Sequence, residues 1–432
     1  MIDQHILYVD NFRGFRDSYI PISNVNFLVG ENSSGKTSIL SLLKLMSVER
    51  LLLENQFSIA DDVDLGTFDD IVSAHADNRT FFRIGMIRRD VARTGKILPL
   101  GMLITYEKYD GLPRDVSFTC TYGHRELALR RIGKEFHYRT RENAVDQDTD
   151  MKRLIAQWIE DHKKPSGNFK KLDYQFGPEQ SLLFPLSLIA HNVTDAKRFP
   201  MPILSPMVFP PLTWVAPIRT KPRRTYDELR RVFSSEGTHT PYLIRKILDT
   251  ESQAKRFKRI IHMIGKDSGL FDRVEINRYG PENTSPFEIR IVLDDKPFNL
   301  TNVGYGVSQA LPVVVEMLWR EVGSWFAIQQ PEVHLHPRAQ AALGDLIFVM
   351  STSRKQKFLI ETHSDFMIDR YRTRLRGVRN NGPDSQLLFF ERKNRFNTVT
   401  PLEIGLNGEL PLKQPQGYRR FFIREQMDLL GL

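Results

Sequence analysis

Gly30-Glu31-Asn32-Ser33-Ser34-Gly35-Lys36-Thr37 spells the full G-x-x-x-x-G-K-T pattern, between an apolar run and a helical one. Val25-Asn26-Phe27-Leu28-Val29 reads as a buried strand leading in, and Ser38 to Met46 carries helical spacing leading out. A strand, a glycine loop and a helix in that order turn backbone N–H groups and a helix N-terminus toward one point, which suits a polyphosphate. In that setting Asn32, Ser33, Ser34, Gly35 and Ser38 form the cradle, Lys36 reaches the β- and γ-phosphates, and the Thr37 hydroxyl ligates Mg²⁺. The alternative is a glycine-rich turn that matches by chance, and the flanking strand and helix weigh against it.

Composition bounds the rest. At 432 residues the chain has room for one large domain with an insertion, or for two domains. Hydrophobic content of 41% and charged content of 26% belong to an ordinary globular protein. A single cysteine, Cys120, excludes an internal disulfide framework and fits a reducing cytoplasm. Met1-Ile2-Asp3-Gln4-His5 lacks the basic and apolar segments of a secretory signal, so a cytoplasmic location is expected. Phe199 to Ile218 carries one charge-free run long enough to attract a membrane reading, but six prolines interrupt it. It is read as a buried, extended connector, with no membrane contact.

The net charge of +9 permits nucleic-acid contact without establishing it. Basic residues concentrate at Arg125, Arg130, Arg131, Lys134, Arg139 and Arg141, and again from Arg219 through Lys221, Arg223 and Arg224 to Arg230 and Arg231. Such runs are usually solvated faces.

Along the chain, Ile6 to Asp10, Phe81 to Ile87 and Leu100 to Tyr106 read as strands, the last two antiparallel. Met151, Leu154, Ile155, Trp158, Ile159 and His162 recur at helical spacing, as do Leu243 to Leu248 and Phe257 to Ile264; all are read as core stripes. Beyond Phe287, strand and helix alternate: a helix from about Ser308, a strand at Ser324–Ile328, a helix from Pro337 and a strand at Lys357–Ile360. That alternation implies a parallel α/β sheet. The expected organisation is an N-terminal lobe over 1–120, a largely helical insertion over 121–285 offering a partner or DNA surface, and a C-terminal lobe over 286–432.

Three later segments resemble the nucleotide-binding parts of ABC-type ATPases, in the required order. Asn302-Val303-Gly304-Tyr305-Gly306-Val307-Ser308-Gln309 resembles a signature loop. Gln329-Gln330-Pro331-Glu332-Val333-His334-Leu335-His336-Pro337 resembles the Walker B and D-loop region of the overcoming-lysogenization-defect family. Glu361-Thr362-His363-Ser364-Asp365 resembles the switch-histidine segment. Asn11-Phe12-Arg13-Gly14-Phe15 is similar to the opening of these ATPases and of their RecF- and SMC-like relatives. Leu65 to Val72, Trp214 to Arg219 and the tail from Gly408 to Tyr418 also resemble family segments. The tail resembles the usual ending of the nuclease-free branch, which includes ATPase subunits of anti-phage systems such as Septu and PARIS.

The resemblance implies an α/β P-loop NTPase with an ABC-ATPase-like head and a largely helical insertion. ATP and Mg²⁺ are its implied ligands, with Arg13 near the nucleotide. Gly304, Gly306, Ser308 and Gln309 are implied to contact the γ-phosphate bound to the opposite subunit of a head-to-tail homo-oligomer. His363 is implied to meet the γ-phosphate or orient the attacking water. One departure bears on mechanism: both positions that are normally acidic in Walker B are glutamines. Gln329 stands in the Mg²⁺ shell and Gln330 where a base polarises water, and an amide cannot accept a proton. Slow hydrolysis is therefore expected, with Glu332 as the nearest replacement carboxylate. A zinc pair at His334 and His336 has poor spacing, and Asp148-Thr149-Asp150 lies in a polar loop without a matching nuclease strand.

The expected role is a nucleotide-dependent switch or scaffold for a separate nuclease or toxin effector in anti-phage defence. One alternative is a RecF/SMC-like DNA-binding ATPase of DNA repair. Another is a non-hydrolysing ATP sensor that holds a toxin partner inactive.

Overall fold

The computed structural model describes residues 5–59, 62–91, 97–142, 150–163, 168–172, 177, 180–183, 209–227, 232–282, 284–378 and 382–418. The chain forms two compact units. One comprises Met1–Ser23, Gly30–Leu212 and Leu388–Pro401; the other comprises Asn24–Val29, Thr213–Leu387 and Leu402–Leu432. Each is thus assembled from several stretches, whereas the sequence reading divides the chain once near 120 and once near 285.

In chain order the strands begin with β1 (His5–Asp10), β2 (Ser18–Ile22) and β3 (Val25–Gly30), followed by a short ribbon of β4 (Ser58–Ile59) and β5 (Val63–Asp64). Then come β6 (Phe81–Val91), β7 (Ile97–Tyr109), β8 (Leu112–Tyr122), β9 (Arg125–Ile132), β10 (Glu135–Glu142) and β11 (Lys170–Lys171). The first unit is built on an antiparallel sheet ordered β11-β10-β9-β8-β7-β6-β1-β2. Consecutive strands from β6 to β10 pair antiparallel with their neighbours in the chain.

The helix Met151–Lys163 lays its apolar stripe on this sheet: Met151, Leu154, Ile155 and Trp158 pack against Ile6, Tyr8, Ile87 and Leu103. Trp158 Nε1 donates to Glu126 Oε2 at 2.9 Å. That buried carboxylate also receives Arg139 and Arg141, which reach on to Asp161 at 3.1 and 2.6 Å. Arg130 lies over the Phe169 ring and Arg131 over Phe136. Much of the first basic run is therefore spent on internal pairing. Among the described residues between 121 and 285 the chain holds β9, β10 and β11, which continue this sheet, the strands Leu212–Val215 and Arg273–Arg278 of two other sheets, and the helices Met151–Lys163, Thr240–Asp249 and Glu251–Ser268, so the segment expected to be largely helical mixes strand and helix.

The remaining strands are β12 (Leu212–Val215), β13 (Arg273–Arg278), β14 (Phe287–Leu293), β15 (Lys296–Asn299), β16 (Trp325–Gln329), β17 (Lys357–Glu361), β18 (Ser385–Lys393) and β19 (Phe396–Ile404), the last two falling mostly within the Leu388–Pro401 stretch of the first unit. A six-stranded sheet is ordered β12-β16-β17-β3-β18-β19. β16, β17 and β3 are parallel, with Gln329 opposite Glu361 and Glu361 opposite Leu28. β3 and β16 are buried along their whole length. Strands covered on both faces read as continuous apolar runs, which is how they stand in the sequence. The helices Tyr305–Trp319, Pro337–Ser353 and Asp365–Leu375 alternate with these strands. β13, β14 and β15 form a separate antiparallel sheet.

The helix expected from about Ser308 begins at Tyr305, with Gly304 as its cap. Within the expected connector, Leu212–Val215 is strand and Ile218 is exposed, while Phe199 to Val208 lies outside the described residues. Arg230, Arg231, Asp148 and Thr149 also lie outside them. Among the described residues, no helix is long and apolar enough to cross a membrane.

Candidate functional site

In the first unit the phosphate loop closes onto its own lysine. Lys36 is only 4% exposed, and its Nζ donates to the carbonyls of Gly30 at 3.0 Å and Glu31 at 2.8 Å. Ser34 Oγ donates to the Glu31 carbonyl at 2.6 Å, which tightens the same turn. Gly35, at φ 95°, caps the helix Lys36–Met46 with no side-chain hydrogen bond. A helix begun this way presents its first N–H groups, which carry partial positive charge, without an internal acceptor from the cap. A Cβ at Gly35 would stand 2.6 Å from the Phe15 ring, so the close approach and the positive φ both require glycine. Asn32, Ser33 and Thr37 are exposed on this loop, and Ser38 is half-buried.

Arg13 is in the same unit. Its Nη2 donates to the Leu65 carbonyl at 3.2 Å and its backbone N–H to the Ile71 carbonyl at 2.6 Å. Burial lowers its pKa, with Asp70 and Asp64 opposing. In this opening segment it is Phe15 that reaches the phosphate loop.

In the second unit a polar cluster gathers at the ends of β16 and β17. Gln329 Nε2 donates to Glu361 Oε2 at 3.2 Å, and the Gln330 N–H to the Glu361 carbonyl at 2.7 Å. Gln330 turns the chain at φ 41°. Two residues on, Glu332 Oε1 accepts the His363 N–H at 2.7 Å, while its Oε2 has no hydrogen-bond partner among the described residues. Burial pushes the Glu332 carboxyl above its ordinary range; the His363 N–H, the Thr362 hydroxyl and Arg219 act in the opposite sense. Arg219 is 1% exposed, donates through Nη2 to the Gln329 carbonyl at 3.2 Å, and leaves Nε and Nη1 without hydrogen-bond partners among the described residues. Burial lowers its pKa to about 10, against the attraction of Glu332. The Gln309 amide donates to the Arg219 carbonyl at 3.5 Å.

The structure thus joins Gln309, Gln329, Gln330, Glu332 and His363 in one cluster and adds two members, Glu361 and Arg219. The sequence reading quotes Glu361 only as the residue before Thr362, and Arg219 only in a basic run and a family segment. The signal for Glu361 is its register opposite Gln329 on neighbouring parallel strands.

The signature-like segment packs on the turn after β16. A Cβ at Gly306 would stand 2.8 Å from the His334 carbonyl, and the Tyr305 and His334 rings meet edge to face at 4.9 Å. Gly304 and Tyr305 are exposed there, whereas Ser308 and Gln309 turn inward, Ser308 Oγ donating to the Tyr305 carbonyl at 2.7 Å. His336 Nδ1 accepts the Arg338 N–H at 3.3 Å and caps the following helix. Among the described residues no group of His, Cys, Asp and Glu could hold a metal ion by itself.

The AAA ATPase domain family model matches residues 5–176 and 223–368. The chain belongs to the AAA ATPase domain family. Its fold is accordingly the mixed α/β P-loop ATPase fold expected from the sequence. Among solved structures the chain is similar to the SMC head domain from Thermotoga maritima, at 12% identity and a TM-score of 0.41, covering 93% of this chain and 100% of that one. It is also similar to the Pyrococcus furiosus Smc head domain with an extended coiled coil, bound to the C-terminal domain of ScpA. There the identity is 11% and the TM-score 0.40, covering 99% of each chain. No curated protein matches the chain.

Proposed function

We propose that this AAA-family ATPase is an ABC-type subunit that binds ATP with Mg²⁺, hydrolyses it slowly, and uses the cycle as a switch for a separate nuclease or toxin effector in anti-phage defence. The observation that carries ATP binding is the Lys36 ammonium held on the loop carbonyls at the start of an uncapped helix. A polyphosphate supplies oxygen acceptors that suit both the ammonium and the first-turn N–H groups. Asn32, Ser33, Ser34, Gly35 and Ser38 shape that cradle, and the exposed Thr37 hydroxyl would hold Mg²⁺. When bound, the ion neutralises charge on the phosphate oxygens.

The base for hydrolysis is Glu332. Gln330 offers an amide, which holds water without taking its proton. Among the described residues Glu332 has one carboxylate oxygen without a hydrogen-bond partner and the other fixed by the His363 N–H. Burial raises its pKa toward the range where a carboxylate works as a general base. Arg219 holds the turn through the Gln329 carbonyl and opposes complete protonation of Glu332.

The active unit is a head-to-tail homo-oligomer in which Gly304, Gly306 and Ser308 of one chain face the nucleotide of another. The exposed Gly304 and Tyr305 rim supports this. The internal pairing of Arg139 and Arg141 with Glu126 and Asp161 supports the effector-subunit reading over a DNA clamp. The first test is calorimetric ATP binding to Lys36→Ala. Loss of a charge-assisted phosphate contact costs about 1.5–3 kcal/mol, or one to two decades in affinity. Unchanged affinity would remove the assignment.

A further inference from the structure

The helix Glu251–Ser268 of the second unit buries one face and leaves the other to solvent. Ala254, Phe257, Ile261, Ile264, Gly265 and Ser268 point inward, at the spacing that defines one side of a helix. The outer face carries Lys255, Arg256, Lys258, Arg259 and Lys266, all exposed, with His262 among them. Acids stand only at the two ends of the helix, at Glu251 and Asp267. From Lys255 to Lys266 the row runs for about 16 Å at the usual helical rise.

Two features separate this row from an ordinary solvated face. Elsewhere in the second unit Arg273, Arg290, Arg370 and Arg374 each hold a carboxylate. Among the described residues, the side chains of Lys255, Arg256, Lys258, Arg259 and Lys266 have no hydrogen bond or ion pair. The spacing also sets like charges on one another: Lys255 and Arg259 stand four residues apart, and Lys255 with Lys258 and Arg256 with Arg259 three apart. Such pairs destabilise a helix. Burial, and then Arg256, lower the Arg354 pKa, so the row stands in the field of a further cation. The chain bears this repulsion on top of a net charge of +9. A polyanion would relieve it.

The chemistry of the face selects among polyanions. Lysine is depleted in protein interfaces, which centre on aromatic residues, and the one aromatic ring of this helix apart from His262, Phe257, is buried. Met263 is the one large apolar residue exposed on the helix, too little to enter a membrane. Unpaired bases stack on exposed aromatic side chains, and this face offers none. A convex helix fits the wide major groove of B-form DNA, whereas the major groove of an RNA duplex is too narrow.

We propose that the outer face of this helix binds double-stranded DNA through its phosphates. The inference goes beyond the effector-switch reading and does not rest on it. Arg139 and Arg141 are spent on Glu126 and Asp161, whereas the row from Lys255 to Lys266 keeps its charge for a ligand.

The test measures binding of a fluorescent duplex of about 30 base pairs to the full chain by anisotropy, without nucleotide, across about 50 to 200 mM salt. Four phosphate contacts give a log–log salt slope of about −4 and a loss of about two decades in affinity over that range. The combined Lys255→Gln, Arg256→Gln, Lys258→Gln and Arg259→Gln variant should flatten the slope by about 3 to 4 and weaken binding about a hundredfold at low salt. These four side chains are exposed, so the buried face of the helix is untouched. A control with the same charge change, Lys221→Gln, Arg223→Gln, Arg224→Gln and Lys296→Gln, also exposed in the second unit, should lose about fivefold at most. No binding of the duplex at the lowest salt, equal losses in the two variants, or equal affinity for an RNA duplex of the same sequence would overturn the inference. Undiminished DNA affinity in the first variant, with self-association lost instead, would overturn it by giving the row to a second copy of the chain. ATP binding by the first variant should be unchanged, and Lys36→Ala should leave duplex affinity unchanged, so the two readings fail separately.

Discussion

Replacing Glu332 by glutamine should separate nucleotide binding from chemistry. The amide oxygen of a glutamine can still accept the His363 N–H that now meets Oε1 at 2.7 Å, so the turn keeps its anchor. What is lost is a buried carboxylate with a raised pKa and one oxygen that has no hydrogen-bond partner among the described residues. General-base assistance is worth about two to four decades in rate, and single-turnover hydrolysis should fall by that much. ATP affinity, which the proposed function assigns to Lys36 and the phosphate loop, should change by less than about threefold, within about 0.7 kcal/mol.

The pH dependence gives a second reading of the same substitution. Because burial raises the folded-state pKa, the acid limb of turnover should lie above the ordinary glutamate value of 4.5 and be missing from Glu332→Gln. The stability sign follows from linkage. The folded chain holds this proton more tightly than the unfolded chain, so stability falls as pH rises from 4.5 through the raised folded value. The variant should lose that slope. Rapid-quench hydrolysis of labelled ATP across pH 5 to 8, as about the accessible range for a group shifted upward, measures both effects. Turnover within threefold of the parent, or an acid limb that persists in the variant, would refute Glu332 as the base and return the role to Gln330 or His363.

Arg219→Met should push the acid limb higher still, because it removes the cation that favours ionised Glu332; a limb that stays in place would show the two groups to be uncoupled. Mixing Lys36→Ala chains with Gly306→Glu chains should restore one intact composite site per heterodimer, read as recovered phosphate release, and no recovery would defeat the head-to-tail arrangement. Trp158→Ala empties a fully buried position and removes a donor from Glu126, so unfolding free energy in urea should drop by about 3–5 kcal/mol. A loss under about 1 kcal/mol would show that the helix Met151–Lys163 contributes little to the stability of its sheet.

The fold was legible where one physical rule governed a whole segment. β3, β16 and β17 read correctly because strands buried on both faces have no polar alternation to confuse them. The stripe from Met151 to Trp158 read correctly as core because its period matches one face of a helix. The start of the signature-like helix was placed late, at Ser308, because a serine is a common cap. Gly304 caps this helix without a side chain, and nothing in the local sequence announces that.

The candidate site was legible as motifs but not as chemistry. Arg219 stands in a row of cations with Lys221 and Arg223, and charge pattern alone cannot tell that the first is buried while the others face solvent. Glu361 is distant from Gln329 in sequence and becomes its neighbour only through the parallel register of β16 and β17. A motif locates an acid by its position in the chain, whereas a proton or an ion responds to where the carboxylate sits in space. With glutamine at both Walker B positions, the acids at the ends of these strands are Glu332 on the turn and Glu361 on the adjoining strand. The Glu361 carboxylate receives the Gln329 amide, and Glu332, within the field of Arg219, has an oxygen without a hydrogen-bond partner among the described residues. That difference in partners, invisible in the residue order, is the reason to assign the proton to Glu332.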